Sequence, residues 1–136
     1  VRGRFDFVHV DIRCPEDFDR LPRRRYDRVY HLAASFANEL SVELPLLDHR
    51  TNVEGTENLL RFLSRVGTGQ LVYTGSSSSY GDAPLPLTED LPPRPYTPYA
   101  LSKHVGETAR LHQREAFGTD EQNLHVRLGL PGVAIR

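Results

Sequence analysis

The chain has 136 residues, is 38% hydrophobic and carries a formal net charge of −1. That is the size of one globular domain, and the near-neutral balance excludes an electrostatic pull toward nucleic acid or an acidic membrane surface. Apolar runs never exceed a few residues, which excludes a membrane span; no signal peptide is visible.

Cys14 is the single cysteine, so no internal disulfide is possible. This fits a reducing compartment, and a cytoplasmic location is expected. The sequence begins on Val1 and enters an apolar stretch at once. It is read as part of a longer polypeptide, holding one domain over residues 1–136 and no linker.

In chain order, Phe7 to Val10, Arg28 to Leu32, Gln70 to Thr74 and Gly132 to Ile135 read as strands. Their apolar runs suit strands buried on both faces of a parallel sheet. A helix is expected from about Pro45 to Arg65, carrying Val53, Leu59, Leu60, Phe62, Leu63 and Val66, with Gly67 as its stop. A second is expected from about Pro98 to Arg114. Thr97 is its N-cap, Pro98 its first position, and Leu101, Val105 and Ala109 share one face. Strand alternating with helix gives an α/β doubly wound domain. Two stretches read as loops: the proline-rich, acidic Gly81 to Pro95, and the polar Gly118 to Gly129.

Lys103 is the only lysine beside sixteen arginines, and it follows Tyr99 by four residues. On a helix that spacing puts both side chains on one face, on successive turns. The pair suits proton transfer to or from an alcohol during hydride exchange. A free tyrosine, with a pKa of about 10, is a poor base at neutral pH. A neighbouring ammonium favours the phenolate. A lysine serves better than arginine where a compact point charge must also bond a ribose hydroxyl. Taken alone the pair is also an ordinary surface motif, since chance would place a tyrosine there roughly once in twenty.

The stretch LVYTGSSSSYGD leaves a strand and enters four serines. Ligands in open α/β sheets lie beyond the carboxyl ends of strands. Ser76, first after the strand, is therefore placed to hydrogen-bond a substrate oxygen and stabilise developing charge. A flexible Gly/Ser connection is the plain alternative. A nucleophile elbow is excluded, because Ser79 stands where glycine is required.

With these motifs in order, the chain resembles the extended short-chain dehydrogenase/reductases, the NAD-dependent sugar epimerase/dehydratase family. HVDIRC resembles the strand end at which Asp11 and Ile12 contact adenine, and VYHLAA the strand that sets Leu32, Ala33 and Ala34 beside the cofactor. The family's N-x-x-G-T appears as Asn52, Gly55 and Thr56, after Thr51 at a position that touches the dinucleotide. YTGSSSSYG is similar to the serine segment, which makes Ser76 the catalytic hydroxyl, with Ser77 beside it toward substrate. PYALSKHVGE is similar to P-Y-x-x-S-K-x-x-x-E, which makes Tyr99 the base and Lys103 its partner.

The resemblance implies a Rossmann-like sheet, incomplete here, with strands 3 to 6 and the helices between them. The first strand with its G-x-x-G-x-x-G loop, the second strand and the C-terminal substrate lobe have no counterpart in the sequence. VGTGQL contains a G-x-G, but it follows a helix and precedes a strand, the reverse of the dinucleotide fingerprint. In strand order 3-2-1-4-5-6, strand 3 would stand two strand widths from strand 4.

The implied function is an NAD(P)-dependent epimerase or reductase acting on a nucleotide-linked sugar, with NAD the expected cofactor and NADP open. The 4,6-dehydratases place an Asp-Glu pair where this chain has Ser77 and Ser78. Serine cannot act as a carboxylate, which disfavours a dehydratase. The rival classes are a non-catalytic dinucleotide-binding protein of the same fold and a different Rossmann enzyme such as a methyltransferase, which has no use for this Tyr–Lys spacing.

The helices around Asn52 and Tyr99 resemble a four-helix dimer interface, with Gly55 and Gly106 permitting close approach, so a homodimer is implied. The histidines lack ligand spacing, and no metal is expected. Without the glycine loop, residues 1–136 alone are expected not to bind a dinucleotide; calorimetry with NAD checks this, and tight binding overturns it.

Overall fold

The computed structural model describes residues 5–88 and 90–117. Strands β1 (Tyr26–His31) and β2 (Thr68–Tyr73) pair in parallel, with Tyr26 opposite Thr68 and His31 opposite Tyr73. Between them run α1 (Asn38–Glu43), α2 (Pro45–His49), a π-helical turn (Arg50–Glu54) and α3 (Gly55–Val66). A 3₁₀ turn, Ser77–Tyr80, follows β2, and α4 (Pro98–Phe117) comes after an irregular stretch. This is the parallel β-α-β arrangement of an α/β domain. Among the described residues no helix is long and apolar enough to cross a membrane.

Both central strands form one or two residues ahead of the expected bounds. Leu32 and Thr74 fall just beyond the ladder, where Thr74 closes the sheet end by donating its N–H and hydroxyl to the His31 carbonyl at 3.4 and 2.9 Å. Among the described residues the expected strand Phe7 to Val10 pairs with nothing. A strand needs a neighbour, and this one would stand two strand widths from β1. Phe7 is accordingly 78% exposed. The segment is tied instead by Arg20, which donates to the His9 carbonyl at 3.3 Å, and by Val10 against the core edge. The expected strand Gly132 to Ile135 and the loop Gly118 to Gly129 lie outside the described residues.

Burial on both faces holds only for the end of β2, where Leu71, Val72 and Tyr73 are buried. Among the described residues β1 has a single neighbour, and only His31 of its residues is buried. The helix expected from Pro45 to Arg65 forms as one run, with Pro45 at its start and Gly67 (φ 83°) past its end. Its inward residues Leu60, Phe62 and Leu63 meet Phe18 and Leu71 in the core, the Phe18 and Phe62 rings 5.5 Å apart. Each such side chain contributes about 1.5–3 kcal/mol by burial.

α4 corrects the expected helix face. Of that face Ala109 packs against the core, but Leu101 is 52% exposed and Val105 also points outward, whereas Tyr99, Ala100, Ser102, Lys103 and Gly106 are buried. The inward face is thus the small and polar one, because it packs on the polar side of α2 and the π turn. Gly106 is required by that approach. A Cβ there would collide with the Tyr73 hydroxyl and lie 3.4 Å from the Asn52 carbonyl. The close approach expected of Gly55 and Gly106 therefore occurs inside the chain, Gly55 lying against Ile12.

Gly106→Ala is expected to lower the unfolding free energy by about 1–3 kcal/mol through overpacking, despite a gain of about 1 kcal/mol in helix propensity. In a Tyr73→Phe background the penalty shrinks. Urea denaturation of the four proteins measures both.

Candidate active site

The N-terminus of α4 is fixed from two sides. Thr97 caps it as expected, its hydroxyl oxygen accepting from the Ala100 N–H at 3.1 Å while its proton goes to Asn38 Oδ1 at 2.7 Å. The Tyr99 N–H donates to Ser41 Oγ at 3.0 Å, and Ser41 donates to the Asn38 carbonyl. The Tyr99 ring meets Phe36 edge-on, centroids 6.2 Å apart. Tyr99 is held by α1 and by the loop before it, and is 9% exposed.

One turn later Lys103 is 3% exposed. Its ammonium lies 4.4 Å from the centroid of the Tyr73 ring, a cation–π contact. Burial pulls its pKa down to about 8, while the carboxylates of Asp48 and Glu107 oppose the fall. Burial also pushes the Tyr73 hydroxyl well above its ordinary value. That hydroxyl donates to the Lys103 carbonyl at 3.2 Å. Tyr73 therefore stays protonated and braces the helix at Lys103.

Asn52 joins these elements. Its amide nitrogen, sharing two protons among three acceptors, lies 3.0 Å from Ser102 Oγ, 3.0 Å from Asp48 Oδ1 and 3.2 Å from the Ser35 carbonyl, while its oxygen accepts from the Ser35 N–H at 2.8 Å. Ser102 in turn donates to the Tyr99 carbonyl. The π turn beneath Asn52 widens the helix at this point, as such turns do beside functional residues. Thr56 donates to the Asn52 carbonyl at 2.6 Å, so the 2.9 Å contact from His31 Nε2 must carry the proton on that nitrogen. Burial, and next Lys103, lower the His31 pKa to about 4, so this ring is neutral.

Ser76 leaves the carboxyl end of β2, and its Oγ accepts from the Ser78 N–H at 3.2 Å. The 3₁₀ turn it caps packs on α4. Ser77 opens that turn, half-buried. Gly81 ends it at φ 62°, where a Cβ would lie 2.5 Å from the Arg94 carbonyl. The serine segment, Tyr99 and Lys103 thus gather at one end of the sheet. Leu32, Ala33 and Ala34 are exposed just past β1, at that same end.

Asp11 and Ile12 stand on the opposite flank of α3. The Arg13 guanidinium and N–H hold the Asp11 carboxylate, which keeps its pKa down to about 2. The Ile12 side chain packs on Gly55, and its carbonyl accepts from Asn58. Thr51 donates its hydroxyl back to the Leu47 carbonyl at 2.8 Å.

Three residues of this constellation were not among the expected site residues: Asp48, Tyr73 and His31. Asp48, Asn52 and Thr56 recur every four residues, a polar stripe on a helix that is otherwise apolar inward, and that period was the available signal. Nothing local marks Tyr73 or His31.

A parallel α/β layer that gathers a serine segment and a buried Tyr–Lys helix at the carboxyl ends of its strands has the arrangement of a Rossmann-type dinucleotide-binding fold. The chain belongs to the NAD dependent epimerase/dehydratase family, which its residues 1–126 match. It is 34% identical to a UDP-glucose 4-epimerase of Mycolicibacterium smegmatis over 86% of this chain and 38% of that protein. It superposes with a TM-score of 0.77 on the UDP-glucose 4-epimerase of Thermus thermophilus solved with NAD, at 32% identity over 89% of this chain and 39% of the other. On a Pseudomonas aeruginosa protein, RMD, solved with NADPH, the TM-score is 0.80 at 30% identity, over 88% and 42%. The chain thus spans well under half the length of these relatives.

Both His31, with a pKa lowered from 6.5 to about 4, and Lys103, lowered from 10.5 to about 8, bind fewer protons folded than unfolded. Stability is therefore expected to fall as pH drops from 6.5 to 4, and to rise from 8 to 10.5. Thermal melts across these ranges, with His31→Gln flattening the acid limb and Lys103→Met the alkaline limb, provide the check.

Proposed function

We propose that the chain is part of an NAD(P)-dependent epimerase or reductase acting on a nucleotide-linked sugar, through transient oxidation of a sugar hydroxyl with Tyr99 as base. The observation that carries this reading is the burial of Tyr99 and Lys103 on one face of α4 beside the Ser76 turn. The matched relatives include UDP-glucose 4-epimerases, which supports the substrate class.

The residues fit a nicotinamide dinucleotide. Leu32, Ala33 and Ala34 offer an exposed, mostly small surface at the carboxyl end of β1, where such ligands lie in open sheets. These three would hold it together with Asp11, Ile12, Thr51, Tyr99 and Lys103. When bound, the cofactor supplies a reversible hydride acceptor.

In the proposed reaction Tyr99, as phenolate, takes the proton of the sugar hydroxyl. The Lys103 ammonium stabilises that phenolate and bonds the ribose. Ser76 already accepts from the Ser78 N–H, so its own proton is available to donate to the same substrate oxygen. Ser77 contacts substrate and offers no carboxylate, which favours epimerisation or reduction over dehydration. A homodimer through the helices around Asn52 and Tyr99 accompanies this reading; the outward Leu101 and Val105 support it.

In the full-length protein Tyr99→Phe is expected to cut turnover at least 100-fold, the scale of a lost general base, while cofactor affinity changes little. Steady-state kinetics with nucleotide sugars, and calorimetry with NAD, measure the two effects. Unchanged turnover would refute the mechanism.

A further inference from the structure

Asp48 lies within α2 and is 1% exposed. Its Oδ1 accepts from the Asn52 amide at 3.0 Å, and among the described residues its Oδ2 has no hydrogen-bond partner. A carboxylate withdrawn from water with one oxygen unused is costly unless an opposite charge lies within reach. Among the described residues the fully buried ammonium is that of Lys103, on the helix that α2 packs against. The Asn52 amide bonds both Asp48 and Ser102, the residue before Lys103, so one side chain fixes the two helices in register.

No direct ion pair joins the two groups, unlike surface pairs such as Arg13–Asp11 and Arg23–Asp19. In a low-dielectric interior the attraction still acts beyond contact distance. The other groups facing the amine cannot replace it. His31 from β1 is neutral and Tyr73 from β2 stays protonated, while Tyr99 is the group the amine serves in the function proposed above. Glu107, one turn along α4, is only half-buried and acts more weakly than Asp48.

We propose that Asp48 is the counter-charge of Lys103, a positioning residue that keeps the buried amine protonated so that it can support the Tyr99 phenolate. The catalytic half of this statement rests on the function proposed above; the charge pairing does not. Asp48 raises the Lys103 pKa against desolvation, in agreement.

The test uses the full-length protein with carbon-13 labelled lysine, the Lys103 resonance being assigned by its loss in Lys103→Arg. In Asp48→Asn, which keeps an oxygen for Asn52 and removes the charge, the Lys103 titration is expected to move down by about one pH unit. The alkaline limb of kcat/KM should move with it, KM at neutral pH staying constant. A titration midpoint unchanged from the parent overturns the pairing. Should Asp48→Asn fail to fold, Asp48→Asn combined with Lys103→Met decides. Recovery of the fold by circular dichroism supports an uncompensated charge, and no recovery overturns the proposal. The resonance reads charge without turnover, so loss of the Tyr99 mechanism is distinguished from loss of this pairing.

Discussion

The constraint on which the rest depends is the burial of one ammonium group inside the helix–sheet contact. Lys103 is turned inward, so α4 presents Ser102, Lys103 and Gly106 on its packed face, while Leu101 and Val105 point outward. Every neighbour answers to that choice. Tyr73 supplies an aromatic face and returns its hydroxyl to the backbone of the same residue. Gly106 gives the space that the Tyr73 ring needs, and His31 stays neutral beside it.

Burial of charge and polar groups adds little net stability, but fully bonded networks impose one arrangement. Asn52 shows how this is done. It uses both donors and its acceptor on three separate parts of the chain: the loop after β1, α2 and α4. A helix of regular pitch would aim this residue differently, so the π turn and the network belong together. The apolar cluster of Phe18, Leu60, Phe62, Leu63 and Leu71 lies on the other flank of α3. Dispersion and burial hold that flank; hydrogen bonds specify this one.

The site is assembled from strand ends and from one helix, so its members come from distant parts of the sequence. Ser76 follows β2, Leu32 to Ala34 follow β1, and Tyr99 with Lys103 enter on α4. Parallel pairing brings the two strand ends to the same side, and the serine turn packs directly on α4. This is the crevice geometry of open α/β sheets. It gives the membership of the NAD dependent epimerase/dehydratase family a physical content beyond sequence likeness.

The sequence by itself determined the elements whose cause is local. Period and capping placed the helix from Pro45, the Gly67 stop, the Thr97 cap and the start of α4, and spacing alone put Tyr99 and Lys103 on one face. Tertiary structure decided what depends on a partner. Phe7 to Val10 has the composition of a strand but, among the described residues, no neighbour to pair with, and it forms none there. Leu101 and Val105 have the spacing of a core stripe, yet they face outward, because Lys103 and Ser102 have bonding partners inside and an apolar stripe does not select a partner. The counter-charge at Asp48 and the aromatic floor at Tyr73 were hidden for the same reason: burial and charge proximity are properties of packing between segments dozens of residues apart.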